Sequence, residues 1–425
     1  MTSFRRSLVL LCSSVLVLPL FATVAGASVP ESGSRSARAS AGPQDDHVKA
    51  AEAAVMWQRI AVRTIWTETV PLPAPPVGSM YLTFTSLAVH DAASEAQRRG
   101  RVAATAAVAT AAHDVLWEYF PASRTNLDAD LAATMARIPD GKKGDAGAAI
   151  GAAAADAMIA SRVGDGRFDL SRVYSKAPGV GVWQPGPGAP TTGGGMALAW
   201  LGFLKPVVDV APVALDGHDP LTSPAYAADY IEVADLGSTT STTRTPEQTA
   251  IAQFFNLPTI SAAYRLAVCD VLDGEPMGLL PTTRMFARMD AAVLTSFIQT
   301  FRLKFDVGFW RPYQAIAGAA SDGNPATTPQ TGWTPLVTNP SYSDYTSGHA
   351  AATGSWVEVV RQTLGDDTAL VLRIGSQARP YANLTALEHD TLHARIWGGL
   401  HFRDAMDDGY HLAHTTAQRV MVAIH

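Results

Sequence analysis

From Met285 an apolar side chain returns every fourth residue, at Met289, Val293, Phe297 and Phe301, and the stripe then runs into a lysine, Lys304. A repeat of four marks one face of a helix, whereas a strand would need a repeat of two. This segment therefore commits the chain to a long helix with one buried side, and it puts an ammonium group on that side. An unpaired buried ammonium is costly, so Lys304 either reaches out to water near the helix end or meets an anion. Arg302 lies off the stripe. Seven positions after Lys304 comes Arg311-Pro312, where proline disfavours helical backbone at the arginine and turns the chain.

The same period runs through much of the sequence. Val48, Ala51, Val55, Val62, Ile65 and Trp66 follow helical spacing, as do Met80, Phe84 and Leu87, and Ala-rich segments at 102–119, 125–138 and 143–162 continue it. No stretch alternates long enough to build a sheet, so the fold class expected is all-α, as two helical bundles. Apolar residues make up 47% and charged residues 16%, the composition of an ordered chain. A net charge of −6 excludes the broad basic face that nucleic acid requires. The expected organisation is an N-terminal helical half at 45–176, Gly/Pro-rich connecting loops at 177–244, and a C-terminal helical catalytic half at 245–425. The last opens on Thr245-Pro246-Glu247-Gln248, with Thr as N-cap, Pro at N1 and Gln at N3.

Arg5 and Arg6 precede an apolar run from Leu8 to Phe21, and Ala25-Gly26-Ala27 follows, which predicts a signal peptide at 1–27 and a secreted, extracytoplasmic protein. Residues 28–44 read as a disordered leader. No other stretch reaches the roughly 18 uninterrupted apolar residues of a membrane span. Cleavage would remove Cys12 and leave Cys269 alone, so no internal disulfide is expected.

Two further motifs follow Lys304 and Arg311. In Tyr345-Thr346-Ser347-Gly348-His349, the spacing of His349, Trp356 and Val360 puts the histidine on the inward face of a helix's first turn. Ser347 and Gly348 then stand at the helix N-terminus, where unpaired N–H groups form an oxyanion cradle; the plainer reading is a serine N-cap with a satisfied histidine behind it. In Ala394-Arg395-Ile396-Trp397-Gly398-Gly399-Leu400-His401, an unbroken helix would set Arg395 and His401 about 120° apart. The glycine pair can break the helix and let the two side chains converge.

Together, Lys-x6-Arg-Pro, Ser-Gly-His and Arg-x5-His resemble the superfamily that joins vanadium-dependent haloperoxidases, type 2 phosphatidic-acid phosphatases and bacterial acid phosphatases. The motifs cover Lys304 to about Asp408, and the helical N-terminal half is similar to the secreted bacterial haloperoxidase-like branch. The resemblance implies that Lys304, Arg311 and Arg395, with Ser347 and the Gly348 N–H, bind the oxygens of vanadate, or of phosphate in the same site. It implies that His349 is the acid/base and that His401 bonds vanadium directly or attacks phosphorus. The implied partners are hydrogen peroxide and a halide, with Lys304 polarising the transferred oxygen; the alternative is a secreted acid phosphatase acting on a phosphate ester through a phospho-histidine.

The chain departs from the family at Ala405, where many members carry an aspartate four residues after the last histidine. Asp404 and Asp408 are the nearest carboxylates, and either is expected to orient His401. Tyr342 stands seven residues before His349, a position that varies with halide preference, and leaves that preference open. His389-Asp390-Thr391-Leu392-His393 offers a zinc-hydrolase reading, and an oxyanion-binding protein without turnover is the non-catalytic one. Asp91 is expected to extend the Met80, Phe84, Leu87 stripe as a buried carboxylate beside His90. Trp183 is expected to anchor the Gly/Pro loop or cover a site mouth, and Glu388 to be solvated or to support the site.

Overall fold

A computed structural model describes residues 43–425 apart from positions 101 and 140. The expected signal peptide, with Cys12, and nearly all of the expected leader lie outside the described residues. The helix α1 (Pro43–Trp66) takes in the last two residues of the expected leader. It is followed by α2 (Pro75–Arg99), α3 (Ala104–Tyr119), α4 (Arg124–Met135) and α5 (Gly141–Ser161), then α6 (Pro224–Leu236), α7 (Pro246–Phe254), α8 (Ile260–Gly274), α9 (Leu279–Val307) and α10 (Pro312–Gly318). The chain closes with α11 (Gly348–Leu364), a hairpin of β1 (Leu370–Ile374) and β2 (Gln377–Tyr381), α12 (Leu384–Trp397) and α13 (Arg403–Ala423).

The stripe that runs to Lys304 lies along α9, and Met285, Met289, Val293, Phe297, Phe301 and Lys304 are all buried. They are buried because α9 is surrounded: α2 packs along it from the first half, α11 and α13 from the second. One continuous apolar core contains side chains from α1, α2, α3, α8, α9 and α11, so the two helical halves share their interior. Arg302 points outward and pairs with Asp306 at 2.5 Å. The helix start at Thr245 forms as expected, with Thr245 Oγ accepting from Gln248 N at 3.2 Å and Gln248 Oε1 accepting from Thr245 N at 2.8 Å.

Three local features differ from expectation. The 177–244 region contains α6, capped by Ser223 Oγ, which accepts from Tyr226 N at 3.0 Å, and buried through Tyr226, Tyr230 and Val233. Its Ser-Pro start and its i, i+4, i+7 apolar spacing were readable but sit among Gly/Pro-rich neighbours. The five-residue strands β1 and β2 pair antiparallel, Leu370 opposite Tyr381, and are too short to register as alternation. Asp91 is exposed, whereas its neighbour His90 is the buried residue, 3.1 Å from Thr283 Oγ and 3.3 Å from the His425 carbonyl. Trp183 anchors its loop: it is buried against Tyr174 and donates its backbone N–H to Gly308 O at the end of α9. Glu388 joins α12 to its neighbours by accepting from Arg361 at 2.5 Å and His414 at 2.7 Å.

Close helix approach positions the second half. A Cβ on Gly409 of α13 would lie 2.7 Å from the Ala350 Cβ of α11 and 3.3 Å from the Ser347 carbonyl. Glycine at this point lets α13 lie directly behind the first turn of α11. The N-terminus of α13 also meets α6, where Asp404 N donates to Asp229 Oδ2 at 2.7 Å and Arg403 pairs with Glu232 at 2.5 Å. Burial raises the Asp229 carboxyl to about 6 and, with the nearby Asp408 and Asp219 charges, the Asp404 carboxyl to about 7.

Two outcomes follow from this packing. Gly409→Val should destabilise the protein by about 1–3 kcal/mol through overpacking, read by urea denaturation, and an unchanged midpoint would contradict the contact. Asp229 and Asp404 hold protons more tightly folded than unfolded, so their contribution is complete below the ordinary carboxylate range and is lost as pH rises through about 6 to 7. Melting temperature should therefore fall from the ordinary carboxylate range up to about pH 7 and level off above it, and Asp404→Asn should flatten the fall; an equal slope in both proteins would refute the assignment.

Candidate active site

Lys304 enters the core one turn before the end of α9, and its ammonium donates to the carbonyls of Ser343 at 2.9 Å and Asp344 at 2.8 Å. The Ser343 hydroxyl returns a bond to Lys304 O at 2.7 Å. Lys304 does not snorkel; it is fully buried, and it ties α9 to the segment that leads into α11. With two of its three N–H donors so committed, one remains for an oxyanion. Burial first, and then the Arg311 charge, hold its pKa well below the ordinary lysine value, while Asp344 acts in the opposite sense.

Arg311 is the extended residue at the N-cap of α10, as its following proline requires. Its Nε donates to Tyr342 O at 2.8 Å, and Nη1 donates to Leu400 O at 2.7 Å and to His401 Nε2 at 3.1 Å. Arg395 lies in the last turn of α12, where Nη1 is 3.4 Å from Asn256 Oδ1. Both guanidinium groups are buried, and Arg311 Nη2 and Arg395 Nε are N–H groups without a hydrogen-bond partner among the described residues. Burial lowers the pKa of both; Arg395 falls to about 9, with the Arg311 charge adding to the effect.

The Gly398-Gly399 break brings Arg395 and His401 to one pocket. The helix α12 ends at Trp397, and Gly399 takes a left-handed φ of 74°, packed so closely on Gly237 that a Cβ there would lie 2.6 Å from its carbonyl oxygen. Leu400 N then donates back to Arg395 O at 3.0 Å. His401 therefore precedes α13 and does not belong to its face.

Ser347 is the N-cap of α11, with Oγ 3.5 Å from Ala350 N and its own N–H bonded to Ala405 O at 2.8 Å. Gly348 and His349 form the first helical positions, where backbone N–H groups have no partner within the helix. His349 Nε2 donates to Phe255 O at 3.0 Å, because a carbonyl only accepts, and this leaves Nδ1 as the basic nitrogen. The adjacent residue of the same turn, Asn256, is the one that receives Arg395. Burial and the Arg395 charge hold the His349 pKa well below the ordinary value, and burial with the Arg311 and Lys304 charges does the same for His401.

The sequence reading missed a carboxylate in the site, as it did Phe255 and Asn256. Asp344 is fully buried among the cations, 3.9 Å from Arg311 Nη1, with Oδ1 2.9 Å from His401 Nδ1. Burial lifts its carboxyl to about 7 against the pull of Arg311 and Lys304. The pocket thus holds three cations and one carboxylate, not three cations alone. Nothing in its spacing marks Asp344 beyond its place three residues before Ser347. The carboxylates expected to orient His401 are engaged elsewhere: Asp404 faces Asp219 N at 3.4 Å, and Asp408 accepts from the Tyr345 hydroxyl. Tyr342 lies against two of the cations, its ring centroid 5.0 Å from Lys304 Nζ and 5.1 Å from the Arg311 guanidinium carbon.

The zinc reading fails on geometry. Among the described residues no group of three His, Cys, Asp or Glu is placed to hold a metal ion. His393 donates to His389 O at 2.8 Å and stacks on Trp397. No described helix is long and apolar enough to cross a membrane.

Residues 284–425 match the family described as the VCPO second helical-bundle domain. No curated protein matches the chain. Among solved structures, the first bacterial vanadium-dependent iodoperoxidase is similar with a TM-score of 0.69 at 17% identity, over 89% of this chain and 97% of that one. An apo-type bacterial vanadium-dependent chloroperoxidase is similar with a TM-score of 0.57 at 15% identity, over 89% and 95%. Its holo-type counterpart gives 0.56 at 15%, over 89% and 93%. Residues 284–425, which carry Lys304, Arg311, Ser347, His349, Arg395 and His401, thus match the VCPO second helical-bundle domain, in a chain whose fold is similar to that of the bacterial vanadium-dependent iodoperoxidase and chloroperoxidase.

Proposed function

We propose that this protein is an exported vanadate-dependent haloperoxidase that oxidises halide with hydrogen peroxide. The observation that carries the reading is that buried Arg311 and Arg395 each keep an unpartnered N–H beside His401 and His349. Donors without partners are costly in a protein interior, and a tetrahedral oxyanion satisfies them and neutralises their charge. The residues present fit vanadate: Lys304, Arg311 and Arg395 for its oxygens, the first N–H groups of α11 beside them, and His401 Nε2 as the nitrogen donor.

Bound vanadate supplies a Lewis-acidic centre that activates hydrogen peroxide for oxygen transfer to the halide. The chain's own groups do the rest. Preorganised cations stabilise negative charge on several oxygens without rearranging during the reaction. His401 Nε2 accepts from Arg311, so it bears a lone pair and is suited to bond a metal. His349, anchored through Nε2, takes up and returns a proton at Nδ1. An anion in the pocket raises the depressed pKa of both histidines toward neutrality, so the acid/base becomes competent when the site is filled.

The test is peroxide-dependent bromination by chelator-treated protein with and without orthovanadate. Activity that needs vanadate is expected, and bromination independent of vanadate would overturn the reading. Phosphate-ester hydrolysis without vanadate would replace it with the phosphatase alternative. In melting curves, vanadate at 100 times its dissociation constant should stabilise the protein by about 2.7 kcal/mol. Arg395→Ala should lose most of that shift, while His349→Ala should keep it and lose turnover.

A further inference from the structure

We infer that Asp344 is the positioning residue of His401: its carboxylate holds the imidazole as the Nδ1–H tautomer and so keeps Nε2 directed at the anion pocket. The inference rests on the vanadate reading for its consequence, but not for its geometry. Arg311 is a donor only, so its contact with His401 Nε2 requires a lone pair there, and a neutral ring must then carry its proton on Nδ1. His401 is buried, and the group facing Nδ1 is Asp344 Oδ1 at 2.9 Å. The approach is short, although the ring is turned off the hydrogen-bond line. Contacts of this kind are commonly misaligned in an empty site and tighten when it fills.

The carboxylate is held by the same groups that would bind the anion. Lys304 fixes the carbonyls of Ser343 and Asp344, Arg311 fixes that of Tyr342, and Asp344 N donates to Phe309 O at 2.9 Å. Four bonds to three consecutive residues leave Asp344 little freedom. The task that Ala405 cannot perform, and that Asp404 and Asp408 do not, is thereby done by a residue from the other side of the pocket, ahead of α11. A histidine that bonds a metal characteristically gives its second N–H to such an acceptor, and losing that acceptor costs about 10–100-fold in metal affinity.

The charge of Asp344 makes the test discriminating. A negative group among the cations opposes every anion, so Asp344→Asn should leave phosphate binding unchanged or tighter by electrostatics alone. Vanadate, which needs the histidine nitrogen, should weaken. The expected result is a fall of about 10–100-fold in the ratio of vanadate to phosphate affinity, measured by thermal shift with each inorganic anion. In nitrogen-15 histidine spectra of the anion-free protein, assigned by the signal lost in His401→Gln, the parent should show His401 as Nδ1–H, and Asp344→Asn should admit a larger Nε2–H population, since Arg311 alone then opposes it. An Nε2–H tautomer in the parent, or an affinity ratio within twofold of the parent's in Asp344→Asn, would overturn the inference. If the parent itself binds vanadate no better than phosphate, the cofactor reading has failed, and the tautomer spectra alone decide for or against Asp344.

Discussion

The buried ammonium of Lys304 is the contact on which the site depends. A charge there is tolerated only because two carbonyl oxygens meet it, and those carbonyls belong to the residues that lead into α11. One side chain therefore joins the long central helix to the helix start that forms the anion cradle. Arg311 repeats the device from the N-cap of α10, with Tyr342 O on one side and Leu400 O on the other. Burial of such groups without these bonds would cost several kcal/mol per charge. The same cations that would stabilise an oxyanion are thus structural donors first.

What was legible in the sequence was local in the chain. The stripe on α9 exposed Lys304 because a period of four cannot hide a charge, and proline marked Arg311 as a turn. Ser347 and His349 followed from cap chemistry and helical phase, and Arg395 with His401 from a glycine pair able to break a helix. Asp344 was missed because its importance is a matter of approach between segments 57 positions apart. Asn256 and the Phe255 carbonyl were missed for the same reason, since a side-chain amide or a peptide oxygen leaves no spacing signal. Asp91 erred in the opposite way: extending a stripe to the last turns of α2 ignored that its neighbour, His90, is the residue turned inward.

The packing explains why glycine appears where the helices of the second half meet. Gly354 of α11 makes room for the Ala413 and Tyr410 side chains of α13, Gly409 of α13 meets the Ser347 backbone, and Gly237 meets the backbone of the turn at Gly399.

The turn at Phe255-Asn256 holds two dissimilar groups at once, the imidazole of His349 by a peptide oxygen and the guanidinium of Arg395 by a side-chain amide. In the proposed enzyme, proton handling and charge neutralisation would therefore share a mechanical support. A displacement of this turn shifts both together, so the distance over which a proton moves and the field that favours its movement vary in step rather than independently.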